Sequence, residues 1–427
     1  MKVKHGISAA MALALSTGGE GAYAQTTGDD TEIAELRRQL IELKEQQRRN
    51  AEALDRSMQQ ITALQEQLAT VDTEQAAAAS APVVAEVASD TSPGLSLSGD
   101  VRVRYEANYG TKGAHPRSRG VLRARLRAAY EPLDWLKVGG QIVTGDVDDP
   151  NTADVTLGNF DDDLQVALDQ AYVQLQHGGF TVTGGKFGNP FIRTDLVWDG
   201  DVSPQGVAAS FVTGDTVQVG ANGLLFLIDE NSDGEDSSML GGQLWVAAHP
   251  GGTFDASLAG AYYDYNLVSL ATADSGDFRS NLIGEDGRYL SDFNLVDVIG
   301  QIGWSGLGKQ WPMKVLGEFV RNTGAATGER DGFQGAITFG RASKPGDLRF
   351  GYGYMQAERD AVLAAFSHDN LGFGTDYMLH ALSIDYVLDG GIVLNGTFYD
   401  YAELHLSDPS VSRDWQQRLR LNMMVSF

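Results

Sequence analysis

The sequence predicts an all-β transmembrane barrel of about 16 antiparallel strands, within a range of 16–18, preceded by an α-helical coiled-coil segment. Three observations predict it. From Leu95 onward the hydrophobic period is two, in segments of roughly ten residues. The connections between these segments alternate short and long along the chain. Between Ile33 and Val71 the period is instead that of a heptad.

The alternation is clearest at the chain end. Trp415, Leu419, Leu421, Met423, Val425 and Phe427 fall on one face, and Gln416, Arg418, Arg420, Asn422 and Ser426 on the other, with Gln417 and Met424 as exceptions. In the first segment Val101, Val103, Tyr105 and Ala107 alternate with Asp100, Arg102, Arg104 and Glu106. In the second, Leu122, Ala124, Leu126, Ala128 and Tyr130 alternate with Arg123, Arg125 and Arg127. Sixteen such segments can be placed: 95–107, 120–130, 135–144, 165–176, 179–187, 205–213, 216–228, 239–248, 253–266, 291–304, 311–321, 333–342, 347–358, 377–388, 391–403 and 414–427.

A soluble sandwich alternates too, but it has no reason to keep a parity of loop lengths. Here the short turns include Glu131–Asp134, His177-Gly178, Gly214-Asp215, His249–Gly252, Ser343–Gly346 and Asp389-Gly390. The long ones are 108–119, 145–164, 188–204, 229–238, 267–290, 322–332, 359–376 and 404–413. Outer-membrane barrels have short periplasmic turns and long external loops. The long loops are acidic, with Asp146, Asp148, Asp149 and Asp161–Asp163 in one of them. Trp135, Trp304 and Trp311 stand beside short turns, where interfacial aromatic girdles belong.

The N-terminal quarter is organised differently. Lys2 and Lys4, the apolar stretch Gly6–Leu15 and the small residues of Ala22-Tyr23-Ala24 form a signal peptide over 1–24, with cleavage expected after Ala24. That apolar run is too short to span a bilayer. Residues 25–75 carry the heptads: Ile33, Leu36, Leu40, Leu43, Leu54, Ile61, Leu64, Leu68 and Val71. Gln47, Asn50 and Ser57 occupy core positions in the middle, where polar residues weaken a coil but fix its register. A coiled coil here makes the protein an oligomer. Residues 76–94, Ala-rich and then broken by Pro82, Pro93 and Gly94, read as a linker, and 95–427 as the barrel.

Composition narrows the functional classes. A net charge of −25 argues against nucleic-acid binding, which needs phosphate-neutralising Lys and Arg. With no Cys there is no thiolate metal site or cysteine nucleophile. The seven His residues show no HExxH or other ligand spacing, and neither a G-x-S-x-G elbow nor a phosphate-binding loop occurs. No cofactor, no metal and no enzymatic activity are expected. Two other readings remain beside a channel: a structural envelope tether or adhesin that uses the coiled coil, with peptidoglycan as partner, and a barrel-embedded hydrolase whose triad assembles from distant strands.

Three stretches look familiar: Arg123–Gly145 (RARLRAAYEPLDWLKVGGQIVTG), Asp169–Leu175 (DQAYVQL) and Gly184–Val207 (GGKFGNPFIRTDLVWDGDVSPQGV). Together they resemble the putative porin family of Gram-negative bacteria, and the chain more broadly resembles sixteen-stranded general porins. The resemblance covers the barrel, about three-quarters of the chain. It implies a homotrimeric outer-membrane porin for passive diffusion of ions and small polar solutes, embedded among outer-membrane lipid and lipopolysaccharide. Phe427 is similar to the C-terminal aromatic signal read by the barrel-assembly machinery. The loop 188–204 occupies the chain position of the constriction loop of general porins, although their Pro-Glu-Phe-Gly-Gly turn is absent.

Sixteen to eighteen strands leave an aqueous channel. Closing the barrel sets the last strand beside the first, so Arg418, Arg420, Arg102, Arg104, Arg123, Arg125 and Arg127 share one patch of inner wall. Facing lipid near the midplane, each would cost about 2–4 kcal/mol, so the alternation assigns them to the lumen as a pore-lining basic wall. If loop 188–204 folds inward, its Arg193, Asp195, Asp199 and Asp201 form a constriction in which acid faces arginine, an arrangement that favours polar solutes. The alternative leaves the loop outside and pairs the arginines with Asp100 and Glu106. The acidic outer loops are either simply solvated or bridged to lipopolysaccharide phosphates by divalent cations.

Overall fold

The structure, a computed structural model, describes residues 94–110, 116–146, 152–158, 164–232, 234–249, 253–268, 280–406, 410 and 412–427. The expected signal peptide, the coiled coil and all but the end of the linker lie outside these residues.

The strands are β1 (Leu95–Tyr109), β2 (Arg117–Leu133), β3 (Leu136–Thr144), β4 (Val155–Leu157), β5 (Val166–His177), β6 (Phe180–Lys186), β7 (Gln205–Thr213), β8 (Val217–Asp229), β9 (Ser237–Ala248), β10 (Phe254–Asn266), β11 (Phe293–Trp304), β12 (Met313–Asn322), β13 (Asp331–Gly340), β14 (Leu348–Ala357), β15 (Tyr377–Asp389), β16 (Ile392–Glu403) and β17 (Gln416–Ser426). They form one antiparallel sheet of 17 strands. β17 pairs back onto β1, Tyr105 opposite Leu421, which closes the sheet and removes its edges. β3 pairs with β5, while β4 pairs only with Gly120–Leu122 of β2, beyond the end of β3. The closed wall is therefore a 16-stranded antiparallel barrel, and the three-residue β4 is a flap on its rim, inside what the sequence reads as a plain connection.

The inside-out pattern follows from the two solvents. On β1 the side chains of Asp100, Arg104 and Glu106 are buried, whereas Val103 and Tyr105 are 45% and 48% exposed. The apolar set thus lies outside, as it does at Leu240, Leu244 and Ile302 on other strands. In water such a surface would be costly; lipid removes that cost, and the closed ladder satisfies the backbone groups that lipid cannot.

The interior is not uniformly polar. Loop residues Phe187, Phe191, Leu196, Trp198 and Phe366 join Phe226, Met239, Tyr263, Tyr265, Phe293, Leu295 and Tyr377 of the wall in one apolar cluster inside the barrel. Wall residues of β7 to β12 and of β14 to β16 contribute to it.

Candidate pore constriction

β6 ends at Lys186 and β7 begins at Gln205. Gly185 and Gly206 face each other across this pair, at φ of +119° and +141°. A Cβ at Gly185 would lie 2.3 Å from the Ala171 carbonyl oxygen, and one at Gly206 2.1 Å from that of Leu225. Only glycine fits there, so the strands can bend where the chain leaves the wall. Phe187 N–H then donates to the Pro204 carbonyl at 3.0 Å and closes the neck of the loop.

From that neck the loop crosses the lumen. Ser203 hydrogen bonds Asp169 of β5 at 3.0 Å. Asp201 accepts from Arg125 of β2 at 3.0 Å and from Arg123 at 3.4 Å. The Gln243 side chain of β9 accepts from Ile192 N–H at 2.8 Å and donates to its carbonyl at 2.7 Å. The Thr194 hydroxyl bonds Glu318 of β12 and donates to Gln334 of β13 at 2.9 Å. β2 and β12 lie almost opposite one another in the ring, so the loop is a strut across the barrel. Trp198 is fully buried on it, stacked on Phe366 at 5.7 Å and 15° and edge-on to Tyr263 at 5.7 Å.

A second inward loop, 358–376, supports the first. Asp199 N–H donates to the Phe366 carbonyl at 2.8 Å, and His368 N–H to the Asp195 carbonyl at 3.1 Å. A third segment locks the second: the Asn281 amide donates to the carbonyls of Arg359 at 2.7 Å and Val362 at 2.9 Å.

Arg102, Arg104, Arg123, Arg125, Arg127, Arg418 and Arg420 share one patch of inner wall, and each meets a carboxylate. Arg102 and Arg104 both pair with Asp154, the latter at 2.6 Å. Asp100 takes Arg125 at 2.8 Å, Arg123 at 3.2 Å and Arg127 at 3.6 Å. Glu106 takes Arg420 at 2.7 Å and Arg418 at 3.9 Å, together with Arg119 at 2.8 Å. The two alternatives weighed on the sequence therefore coexist: the arginines pair with Asp100 and Glu106, and the loop is inside, adding Asp201. Asp154 stays ionised: burial works against its charge, but the Arg102 and Arg104 guanidiniums outweigh it and hold the carboxyl below its usual range.

The loop's other charged residues do different work. Arg193 braces the loop internally, donating to the carbonyls of Trp198 at 3.0 Å and Gly200 at 3.3 Å. Asp199 is buried, and its carboxyl is pushed well above the usual range by that burial and then by Asp195, Asp369 and Asp201. Asp195 is exposed to the lumen. Phe427 exchanges backbone hydrogen bonds with Gly99, at 2.8 and 3.0 Å, beyond the end of β17.

Sequence reasoning missed Asp154, Asn370 and the inward course of the loop 358–376. Asn370 accepts from Arg418 at 2.5 Å through its carbonyl and from Arg420 through its side chain. The available signal was the apolar run Ala361–Phe366, out of place in a loop bound for water and buried throughout in the structure.

Comparisons with known proteins agree with this architecture. Residues 110–283 match the family described as putative porin. Pseudomonas putida OprB, in its high-pH structure, superposes at a TM-score of 0.53 and 12% identity, over 78% of this chain and 94% of that one. Family match and fold support a porin family. Two further structures align less well: the outer membrane protein OmpT of Vibrio cholerae in its trimer form, at 0.47 and 12% identity over 78% of this chain and all of that one, and the anion-selective porin from Comamonas acidovorans, at 0.46 and 13% over 78% and 99%. At 12% identity the OprB superposition speaks to the fold alone. No curated protein matches the sequence.

Proposed function

We propose that the chain is an outer-membrane porin that forms a water-filled channel for passive diffusion of ions and small polar solutes. The observation that carries this reading is the strut: residues 187–204 tied to β2 through Asp201 and to β12 and β13 through Thr194. A sixteen-stranded barrel is wide enough for water, and a fixed strut narrows it to an aperture. Charges of both signs at that aperture order water and favour polar over apolar solutes. The apolar cluster beneath holds the strut as a packed core would, so the aperture has a defined size.

The remaining parts of the assembly fit this reading. Export uses the signal peptide over 1–24, and Phe427 serves as the address for the barrel-assembly machinery. The barrel sits as a homotrimer among outer-membrane lipid and lipopolysaccharide. The heptads of Ile33–Val71 form a periplasmic coiled coil that joins the protomers and reaches toward peptidoglycan. The test is single-channel conductance of the purified, detergent-extracted protein in a planar bilayer. Stable steps support the porin. A silent bilayer, with insertion verified separately, overturns it and leaves a plugged envelope tether.

A further inference from the structure

We infer that the outer face of β14 to β17 and β1 is a contact surface for other copies of this chain, turned toward a common axis and centred on one polar cross-strand row. The inference rests on the porin reading and deepens it by naming the face through which protomers meet. In register across five strands the row runs Tyr354, His380, Asp400, Gln417 and Tyr109. These positions share the outward parity of Leu382, Phe398 and Leu421, all exposed. The row is accessible: Tyr109 is exposed and the other four are half-buried.

Its depth makes it costly. Tyr354, His380 and Asp400 each lie three residues in from the long-loop end of their strands. At that depth β9, β11 and β12 present Leu240, Val296 and Phe319. The outward charges Asp264, Arg321 and Asp331 lie within two residues of their strand ends. A tilted strand climbs about 2.5 Å per residue, so an apolar band about 25 Å tall takes roughly ten residues. Asp400 is eight residues along from Ile392 at the short-turn end, and so falls inside the band. The row satisfies itself only in part. Gln417 donates to Asp400 at 3.0 Å, and no ion pair neutralises that carboxyl among the described residues. The Tyr352 hydroxyl shares a hydrogen bond of 2.9 Å with His380 Nδ1, and the rings of Tyr354 and Trp415 flank His380 at 5.0 and 5.9 Å.

Against lipid chains a carboxyl and an imidazole lose hydration without gaining partners. A lipid phosphate is no substitute, because Asp400 repels it. A second copy supplies what is missing. Barrels inserted in one direction carry this row at one depth, and the row holds both donors and acceptors, so it complements itself. The chain also gathers copies at this sector. The heptads of Ile33–Val71 call for an oligomer, and that segment leads into the wall at Leu95 of β1, the strand that bears Tyr109.

The chain has no Cys, so single introduced thiols report cleanly. The experiment treats outer membranes holding full-length Asp400→Cys, Gln417→Cys or Leu244→Cys protein with a short bismaleimide and reads mass on denaturing gels. Leu244 is the control, exposed on β9 and almost opposite β16 in the ring. Heat modifiability checks that each variant folds, and Gln417→Cys alone decides where Asp400→Cys does not. The expected result is a shift to covalent dimer for the folded row variants and monomer for Leu244→Cys. Monomer throughout, which leaves the row to lipid headgroups, overturns the contact, and so does equal dimer in Leu244→Cys. Conductance of the unaltered protein is read alongside. Conduction without a row crosslink rejects the surface and keeps the porin; a row crosslink with a silent barrel supports the surface and rejects the porin.

Discussion

Asp201 Oδ1 lies 3.0 Å from Arg125 Nη1, and this contact ties the mid-lumen strut to the first hairpin of the barrel. Both side chains are 16% exposed, so the pair is only partly screened by water. Arg123 approaches the same carboxylate at 3.4 Å.

Removing the charge of Asp201 uncovers two guanidiniums. Asp201→Asn is expected to loosen the strut by roughly 2 kcal/mol, the scale of a hydrogen bond to a charged group. It also leaves the wall more positive. The reversal potential under a potassium chloride gradient should move toward chloride, and an unmoved potential would reject the role given to this pair.

Trp198 secures the other side of the strut. Trp198→Ala empties a fully buried site and should cost about 3–5 kcal/mol of loop docking, of which about 1 kcal/mol is the stack on Phe366. Open-channel noise should rise, and residues 187–204 should become cleavable by added protease. Trp198→Phe, which keeps an aromatic face for Phe366, should fall between.

At the foot of the strut, Gly206→Ala places a Cβ against the Leu225 carbonyl in a backbone conformation side chains rarely adopt. A loss of about 1–3 kcal/mol is expected. Gly184→Ala is the control, since nothing lies within 4 Å of its Cβ position. The yield of heat-modifiable folded barrel on semi-native gels should drop for the first variant and hold for the second.

His368 makes the docked loops acid-sensitive. Its imidazole is held down to about 3 against an ordinary 6.5, so the docked state binds fewer protons than the undocked one between these values. Docking is therefore fully supported above about 6.5 and weakens as pH falls toward 3, by on the order of 3 kcal/mol at pH 4.5. Asp199 acts with the opposite sign: its carboxyl is raised by burial and then by Asp195, so its penalty grows as pH rises past the ordinary carboxylate range. His368→Gln should remove the acid-side loss and leave the slope of Asp199. Protease protection of 358–376 at pH 7, 5.5 and 4.5 reads the difference.

The wall of this protein is legible residue by residue. Alternation around Arg102, Arg123 and Arg418 suffices to place them on one face of three strands, because a pleated strand has no other way to separate lipid from water. The short turns such as His177-Gly178 then order the strands, since only neighbours can be joined by two residues. β4 was invisible because three residues carry no period. The partners of the arginines were legible only where they lie on the same strands: Asp100 and Glu106 follow from the alternation, whereas Asp154 and Asn370 do not.

The sequence by itself determined a strand-spanned barrel of about sixteen strands, its lipid face and its arginine-bearing inner face, since all three follow from a local period of two and from loop lengths. Only the tertiary structure decided what fills the lumen. That the strut leans on Phe366, that Thr194 reaches β12 and β13, and that His368 bonds the Asp195 carbonyl are contacts between residues far apart in the chain. They depend on the curvature of the closed wall and on how three loops pack against one another, and no local pattern encodes either.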